Sequence, residues 1–264
     1  MNKYFRFIYI LLFISYLTSY EKSNLNIVSF NIHGFGKIIS GFDIKNKINL
    51  IVENISDNDI ILIQENWKYL NLIKNKLFNH QLFFSLKKKN IFSYPSGLLI
   101  GINDDINVID SEYIFYNDCN GIIFNGSDCL ASKGFIFSRI RYLDEIIDIY
   151  NTHLDSGHSK KDNKVRIKQL NSLKEYIINN SLNSNLIISG DFNMDYLNSE
   201  EIKEFQYDLN LDLVYWDDSY YLDKKVDYIF YKIKFYHDVK NDDIPNILYT
   251  LSDHPPMSMH LNFK

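Results

Sequence analysis

Residues 189–194 read Ser-Gly-Asp-Phe-Asn-Met, and five further short strings carry carboxylates, amides and imidazoles. Ser29-Phe30-Asn31, Gln64-Glu65 and Asn151-Thr152-His153 precede it, and Val226-Asp227-Tyr228 and Ser252-Asp253-His254 follow. Each stands at the end of an apolar, strand-like run. Hydrolysis of a phosphodiester meets two obstacles: its charge repels the attacking hydroxide, and the alkoxide leaves poorly. A site must supply a cation for the phosphoryl oxygens, a base for the water and help for the leaving oxygen. Hard oxygen donors and imidazoles together can do this.

Glu65, just past the apolar run 60–63, is the expected metal ligand. The amide oxygen of Asn31 is expected beside it, with Asp253 facing the same region. A carboxylate and an amide, with water in the remaining positions, suit Mg²⁺ better than Zn²⁺, with Mn²⁺ or Co²⁺ as substitutes. His254 is the expected general base, because neutral imidazole accepts a proton near neutral pH. Asp227 is expected to hold its tautomer and stabilise the imidazolium. Asp191 and Asn193 would orient the attacking water or hold a second cation, with Asn193 also donating to the phosphate. His153 would stabilise the transition state from the other side, with Asn151 as a phosphate donor. His33, His80, His158, His237 and His260 lack comparable neighbours and are expected to be structural or solvated.

The elements that must position these residues follow from hydrophobic pattern. Short apolar runs predict strands over 26–30, 60–63, 97–101, 134–140, 146–150, 186–189, 226–231 and 256–261. Helices are expected over 45–55, 164–178 and 198–205. Ile167, Leu170, Leu173 and Ile177 share one face of the second. Ser199 opens the third, with Glu200 and Glu201 in its first turn. Alternating strands and helices over this length imply two packed sheets flanked by helices in one domain.

A chain of 264 residues, 46% hydrophobic and 16% aromatic, is long and apolar enough for a large buried core. Its net charge of −5 disfavours duplex nucleic acid as a partner. Lys3 and Arg6 precede an apolar stretch from Phe7 to Leu17, then Thr18 and Ser19, so residues 1–20 read as a secretory signal peptide. That stretch is too short to span a bilayer. In a secreted protein the two cysteines, Cys119 and Cys129, either close a small disulfide loop or remain free thiols.

Taken in order, Ser-Phe-Asn, Gln-Glu, Asn-Thr-His-Leu, Gly-Asp-Phe-Asn, Val-Asp-Tyr and Ser-Asp-His resemble the endonuclease/exonuclease/phosphatase superfamily of DNase I-like proteins. The resemblance covers residues 25–264 and makes 21–264 one catalytic domain. It implies an α/β (α+β) fold, a four-layer sandwich with two central mixed β-sheets and a Mg²⁺ site at their ends. Residues 126–135, Gly-Ser-Asp-Cys-Leu-Ala-Ser-Lys-Gly-Phe, are similar to a stretch of neutral and bacterial sphingomyelinases. In those enzymes an Asp and a Lys five positions apart, here Asp128 and Lys133, form a switch pair near the substrate. Residues 95–100 resemble that group as well. The implied activity is secreted hydrolysis of membrane sphingomyelin to ceramide and phosphocholine, by a monomer in peripheral contact with the membrane. No long aromatic-tipped hairpin is evident; Tyr215, Trp216, Tyr220 and Tyr221 are the aromatics nearest in kind. A secreted DNase I-like endonuclease and a catalytically silent lipid- or receptor-binding module are the rival readings.

Overall fold

The computed structural model describes residues 24–34, 43–121, 128–214, 225–234, 236–240 and 244–263. The expected leader, Gly126 and Ser127, and the aromatics Tyr215, Trp216, Tyr220 and Tyr221 lie outside them, as does the side chain of His237.

Two six-stranded sheets form the centre. The first runs β11 (Tyr236–Lys240), β12 (Met257–Phe263), β1 (Asn24–Asn31), β2 (Ile60–Gln64), β4 (Leu99–Asn103), β3 (His80–Phe84). The second runs β5 (Asn107–Phe115), β6 (Gly134–Tyr142), β7 (Glu145–His153), β8 (Asn185–Asp191), β10 (Asp227–Lys232), β9 (Asp212–Leu213). The four α-helices among the described residues are α1 (Ile44–Ile55), α2 (Leu70–Lys76), α3 (Lys160–Ser181) and α4 (Glu200–Asp208).

Period-two alternation makes the layers. In β2, Ile60 and Leu62 join the core between the sheets, while Ile61 and Ile63 pack outward against Ile48, Ile51 and Val52 of α1. In β7, Ile147 and Ile149 point into the same inter-sheet core, while Tyr150 packs outward with Leu170, Leu173 and Ile177 of α3. Both faces of the central strands are thus covered, and the order is helix, sheet, sheet, helix. Ser159 caps α3 through a reciprocal pair with Asp162. Ser199 precedes α4 without a side-chain cap; its hydroxyl turns to Glu201 instead. The strand expected at 97–101 begins two residues later, because Gly97 takes φ 71° and a Cβ there would lie 3.0 Å from the Trp67 ring.

Pairing direction places the chemistry. Strands β1 and β2 are parallel, as are β7 and β8, so within each pair both C-terminal ends reach one edge. Asn31 is in register with Gln64, and His153 with Asp191. Antiparallel β10 begins at that same edge, with Asp227 opposite Asp191.

Candidate active site

Glu65 and Asp191 converge on one amide. Asn31 Nδ2 donates to Glu65 Oε1 at 3.3 Å and to Asp191 Oδ2 at 3.0 Å. His153 Nε2 stands 3.9 Å from Glu65 Oε1 and 3.5 Å from Asp191 Oδ2. Glu65, His153 and Asp191 therefore form a cluster able to hold a metal ion. Two carboxylates facing one another need a positive partner, and burial sharpens that need. Desolvation, helped by the charge of Asp227, raises the Asp191 pKa to about 6. The donor set is hard oxygen with one imidazole, and among the described residues no thiolate is free, since the only two cysteines are bonded to each other. It fits a divalent cation of the Mg²⁺ or Mn²⁺ kind.

Backbone geometry holds these donors out. Glu65 and Asn193 sit at φ 62° and 51°, in the left-handed region that costs a non-glycine residue on the order of 1 kcal/mol or more. Gly190 explains the Gly-Asp pair: at φ 143°, a Cβ there would lie 1.9 Å from the Thr152 carbonyl oxygen of β7. Only glycine lets β8 approach β7 closely enough to set Asp191 beside His153.

His254 lies across the cluster, in the bend preceding β12. Its Nδ1 is 2.8 Å from Asp227 Oδ2 and its Nε2 is 3.7 Å from Asp191 Oδ2. The pair expected from sequence is therefore brought together. Burial alone would lower the His254 pKa, but Asp227 and Asp191 outweigh it and push it up to about 11. For His153 nothing offsets burial, and Lys133 adds to it, so that ring stays neutral.

The His254 shift has a pH consequence for the metal-free protein. A pKa raised from 6.5 to about 11 means that folding stabilises the imidazolium. That contribution is complete below the unfolded value and is lost as pH rises towards the folded one. Thermal melts in EDTA should show Tm falling between about pH 7 and about pH 10, with a shallower fall in His254→Gln. Equal slopes for the two proteins would reject the pairing.

Two expectations are corrected. His33 is neither remote nor merely solvated: Nδ1 lies 3.1 Å from Asp253 Oδ1 and 3.7 Å from Glu65 Oε2. Its hydrogen bond with Asp253 raises the His33 pKa against burial. The same contact holds the Asp253 carboxyl down at about 2 despite desolvation. Asp253 thus reaches the metal region through an imidazole. The second correction is Asn151. It is fully buried, and its Nδ2 donates to Ile63 O at 3.0 Å and Leu99 O at 2.9 Å. Its Oδ1 accepts from Gln64 Nε2 at 2.7 Å. No amide hydrogen remains for a phosphate; Asn151 ties the two sheets together beneath the site.

Asp128 and Lys133 meet at 3.5 Å, both buried. Ser156 donates to both Asp128 oxygens, at 3.1 and 3.0 Å. Lys133 Nζ and Asn193 Nδ2 both donate to Leu154 O, which links the pair to the catalytic edge. The neighbouring disulfide, Cys119–Cys129, is formed. A cavity of about 350 Å³ lies between Asp128, Lys133 and Ser156 on one side and Glu65 and His153 on the other, with Trp67, Tyr94, Leu130 and Ala131 in its wall. The wall residues Trp67 and Tyr94 were not expected from sequence. Trp67 stands two residues past Glu65, which is the one signal that pointed to it.

A model of a family described as Endonuclease/Exonuclease/phosphatase family 2 matches residues 37–219. Sphingomyelinase C of Bacillus cereus is 28% identical over 102 residues, which are 36% of this chain and 29% of that protein. The match therefore spans under a third of the relative's length. Among solved structures, a mutant beta toxin from Staphylococcus aureus with bound magnesium ions has a TM-score of 0.67 at 18% identity, covering 91% of this chain and 100% of that one. The human Nocturnin catalytic domain, with bound sulfate anion, has a TM-score of 0.69 at 20% identity, covering 92% and 94%. Identities this low establish a shared fold.

Proposed function

This chain belongs to the endonuclease/exonuclease/phosphatase family, and from that membership we propose a secreted, Mg²⁺-dependent phosphodiesterase that hydrolyses sphingomyelin to ceramide and phosphocholine. Residues 21–264 would be its catalytic domain, acting as a monomer. The formed disulfide supports an oxidising compartment. One observation carries the substrate class: the cavity beside Glu65 and His153 has the rings of Trp67 and Tyr94 in its wall. Aromatic faces suit a quaternary ammonium group. A choline held there puts its phosphate at the catalytic edge.

Glu65 would hold the cation, with Asp191 closing the site opposite and His33 steadying Asp253 behind. Asn31 would add its amide oxygen by a turn of its side chain, since Oδ1 here accepts from His33 N at 3.0 Å while Nδ2 bridges the two carboxylates. A bound divalent cation supplies positive charge to the phosphoryl oxygens and the leaving oxygen. His254 takes the proton of the attacking water on Nε2, because Nδ1 is committed to Asp227 at 2.8 Å. Asp227 fixes that tautomer and stabilises the imidazolium. Asp191 and Asn193 orient the water, and neutral His153 donates to the charge that builds on phosphorus. The bond from phosphorus to the ceramide oxygen breaks, and that oxygen takes a proton from solvent water as it leaves. Phosphocholine keeps the new hydroxyl, and His254 returns its proton to solvent. The base form of His254 requires the charge of Asp191 to be taken up, so turnover and cation occupancy are coupled.

Sphingomyelin vesicles with Mg²⁺ should release phosphocholine, EDTA should stop the release, and plasmid DNA in the same buffer should stay intact. Nicked plasmid with untouched lipid would make the enzyme a nuclease on the same catalytic edge. Silence on both substrates would turn the reading towards a binding module.

A further inference from the structure

Between β3 and β4 the chain presents Leu86-Lys87-Lys88-Lys89-Asn90-Ile91-Phe92, every residue of it exposed. Ile91 and Phe92 are 84% and 79% exposed, and Leu86 is 64% exposed. Exposure of a neighbouring Ile-Phe pair removes favourable burial from the fold, and such patches mark contact sites. The pair is held outward by a built turn. Asn90 Oδ1 accepts from Phe92 N at 3.0 Å, and Ser93 N donates to Asn90 O at 3.2 Å. Ser93 is buried, with its hydroxyl 3.0 Å from that of Ser132.

The same turn is fastened to the wall of the cavity. Tyr94 N donates to Leu130 O at 2.6 Å, Ser132 N to Tyr94 O at 3.0 Å, and Lys89 N to Ser132 Oγ at 2.9 Å. Tyr94, Leu130 and Ala131 line the cavity, so the exposed pair lies two residues along the chain from its wall. Charge points the same way. Residues 66–103 contain no Asp or Glu but six lysines, Lys68, Lys74, Lys76, Lys87, Lys88 and Lys89, in a chain of net charge −5. An apolar tip beside lysines matches a bilayer with anionic headgroups: the side chains enter the acyl boundary and the ammonium groups meet phosphate and carboxylate.

We propose that residues 86–92 dock the protein on a phospholipid bilayer bearing anionic headgroups, with Ile91 and Phe92 inserted and Lys87 and Lys88 at the headgroup level. Docking there turns the mouth of the cavity towards the lipid surface. The proposal deepens the sphingomyelinase reading and rests on it only for the lipid that enters the cavity.

The test separates docking from catalysis. Co-sedimentation with phosphatidylcholine vesicles, with and without phosphatidylserine, is measured in EDTA so that no hydrolysis intervenes. The same chain is used in every arm, so that any contribution of the N-terminal residues cancels. Ile91→Ser/Phe92→Ser should lower partitioning roughly 10-fold or more, and Lys87→Glu/Lys88→Glu should lower it on the phosphatidylserine vesicles alone. Turnover of a water-soluble phosphocholine ester with Mg²⁺ should be unchanged in both variants, because the exposed tip touches no catalytic group. Parental partitioning by the Ile91/Phe92 variant, or equal binding of the parent to both vesicle types, would overturn the docking proposal. Loss of parental turnover on the soluble ester would instead count against the enzymatic reading and leave the vesicle result standing.

Discussion

In the proposed reaction, His254→Ala is expected to reduce kcat by at least about 10³-fold while the protein still folds. The size follows from what the ring does. Its Nδ1 is committed to Asp227 and its Nε2 faces Asp191, which leaves Nε2 as the ring atom that takes the proton of water. General-base catalysis contributes about 10²–10⁴ in rate, and loss of the imidazolium next to Asp191 adds to that. Asp227 is left without its imidazole partner, so a lower Tm is expected as well, and His254→Gln provides the milder control. The check is kcat under saturating Mg²⁺, beside a far-ultraviolet circular dichroism melt of the same preparation. Turnover within a few-fold of the parent would remove His254 from the mechanism.

The largest effect on stability is expected at Asn151. Leucine has the same side-chain branching and heavy-atom count but cannot replace three buried hydrogen bonds, to Ile63 O, Leu99 O and Gln64 Nε2. A buried polar group left unsatisfied costs about 1–3 kcal/mol, so Asn151→Leu should lose on the order of 3–6 kcal/mol. In a domain of this size that is a fall in Tm of roughly 10–20 °C. Urea denaturation should show a lower midpoint with an unchanged slope, because the native core stays compact. Activity should fall too, since Gln64 directly precedes Glu65 and Asn151 lies two residues before His153. A variant with parental Tm would mean that the contact between the sheets is carried elsewhere.

Much of this was legible before any coordinates. Five of the six catalytic strings stand at a strand terminus, and buried strands announce themselves as runs such as Ile-Ile-Leu-Ile. Ser252-Asp253-His254 instead lies in the bend between a 3₁₀ turn (Asn246–Thr250) and β12. β5 did not announce itself: an edge strand with no fully buried residue, reading Asn-Val-Ile-Asp-Ser-Glu-Tyr-Ile-Phe, needs no apolar alternation. Helix α2 was also missed. It is seven residues long, and Tyr69 before it offers no side-chain cap. His33 was misread because its partner, Asp253, is distant in sequence, although a position two past Asn31 was a usable hint. Asn151 was misread for a subtler reason. It continues the inward alternation of Ile147 and Ile149, as Gln64 continues that of Ile60 and Leu62. Strand periodicity therefore already points both amides between the sheets.

The strand order has a consequence for how such a site can arise. In one sheet β1 and β2 form a parallel pair flanked by antiparallel β12 and β4, and in the other β7 and β8 form a parallel pair flanked by antiparallel β6 and β10. A helix joins the members of each pair, α1 in the first and α3 in the second. The molecule repeats one plan twice, and each copy delivers two donors to a shared seam: Asn31 and Glu65 from one, His153 and Asp191 from the other. A half-molecule would carry half a centre, so the chemistry belongs to the joining of two like pieces.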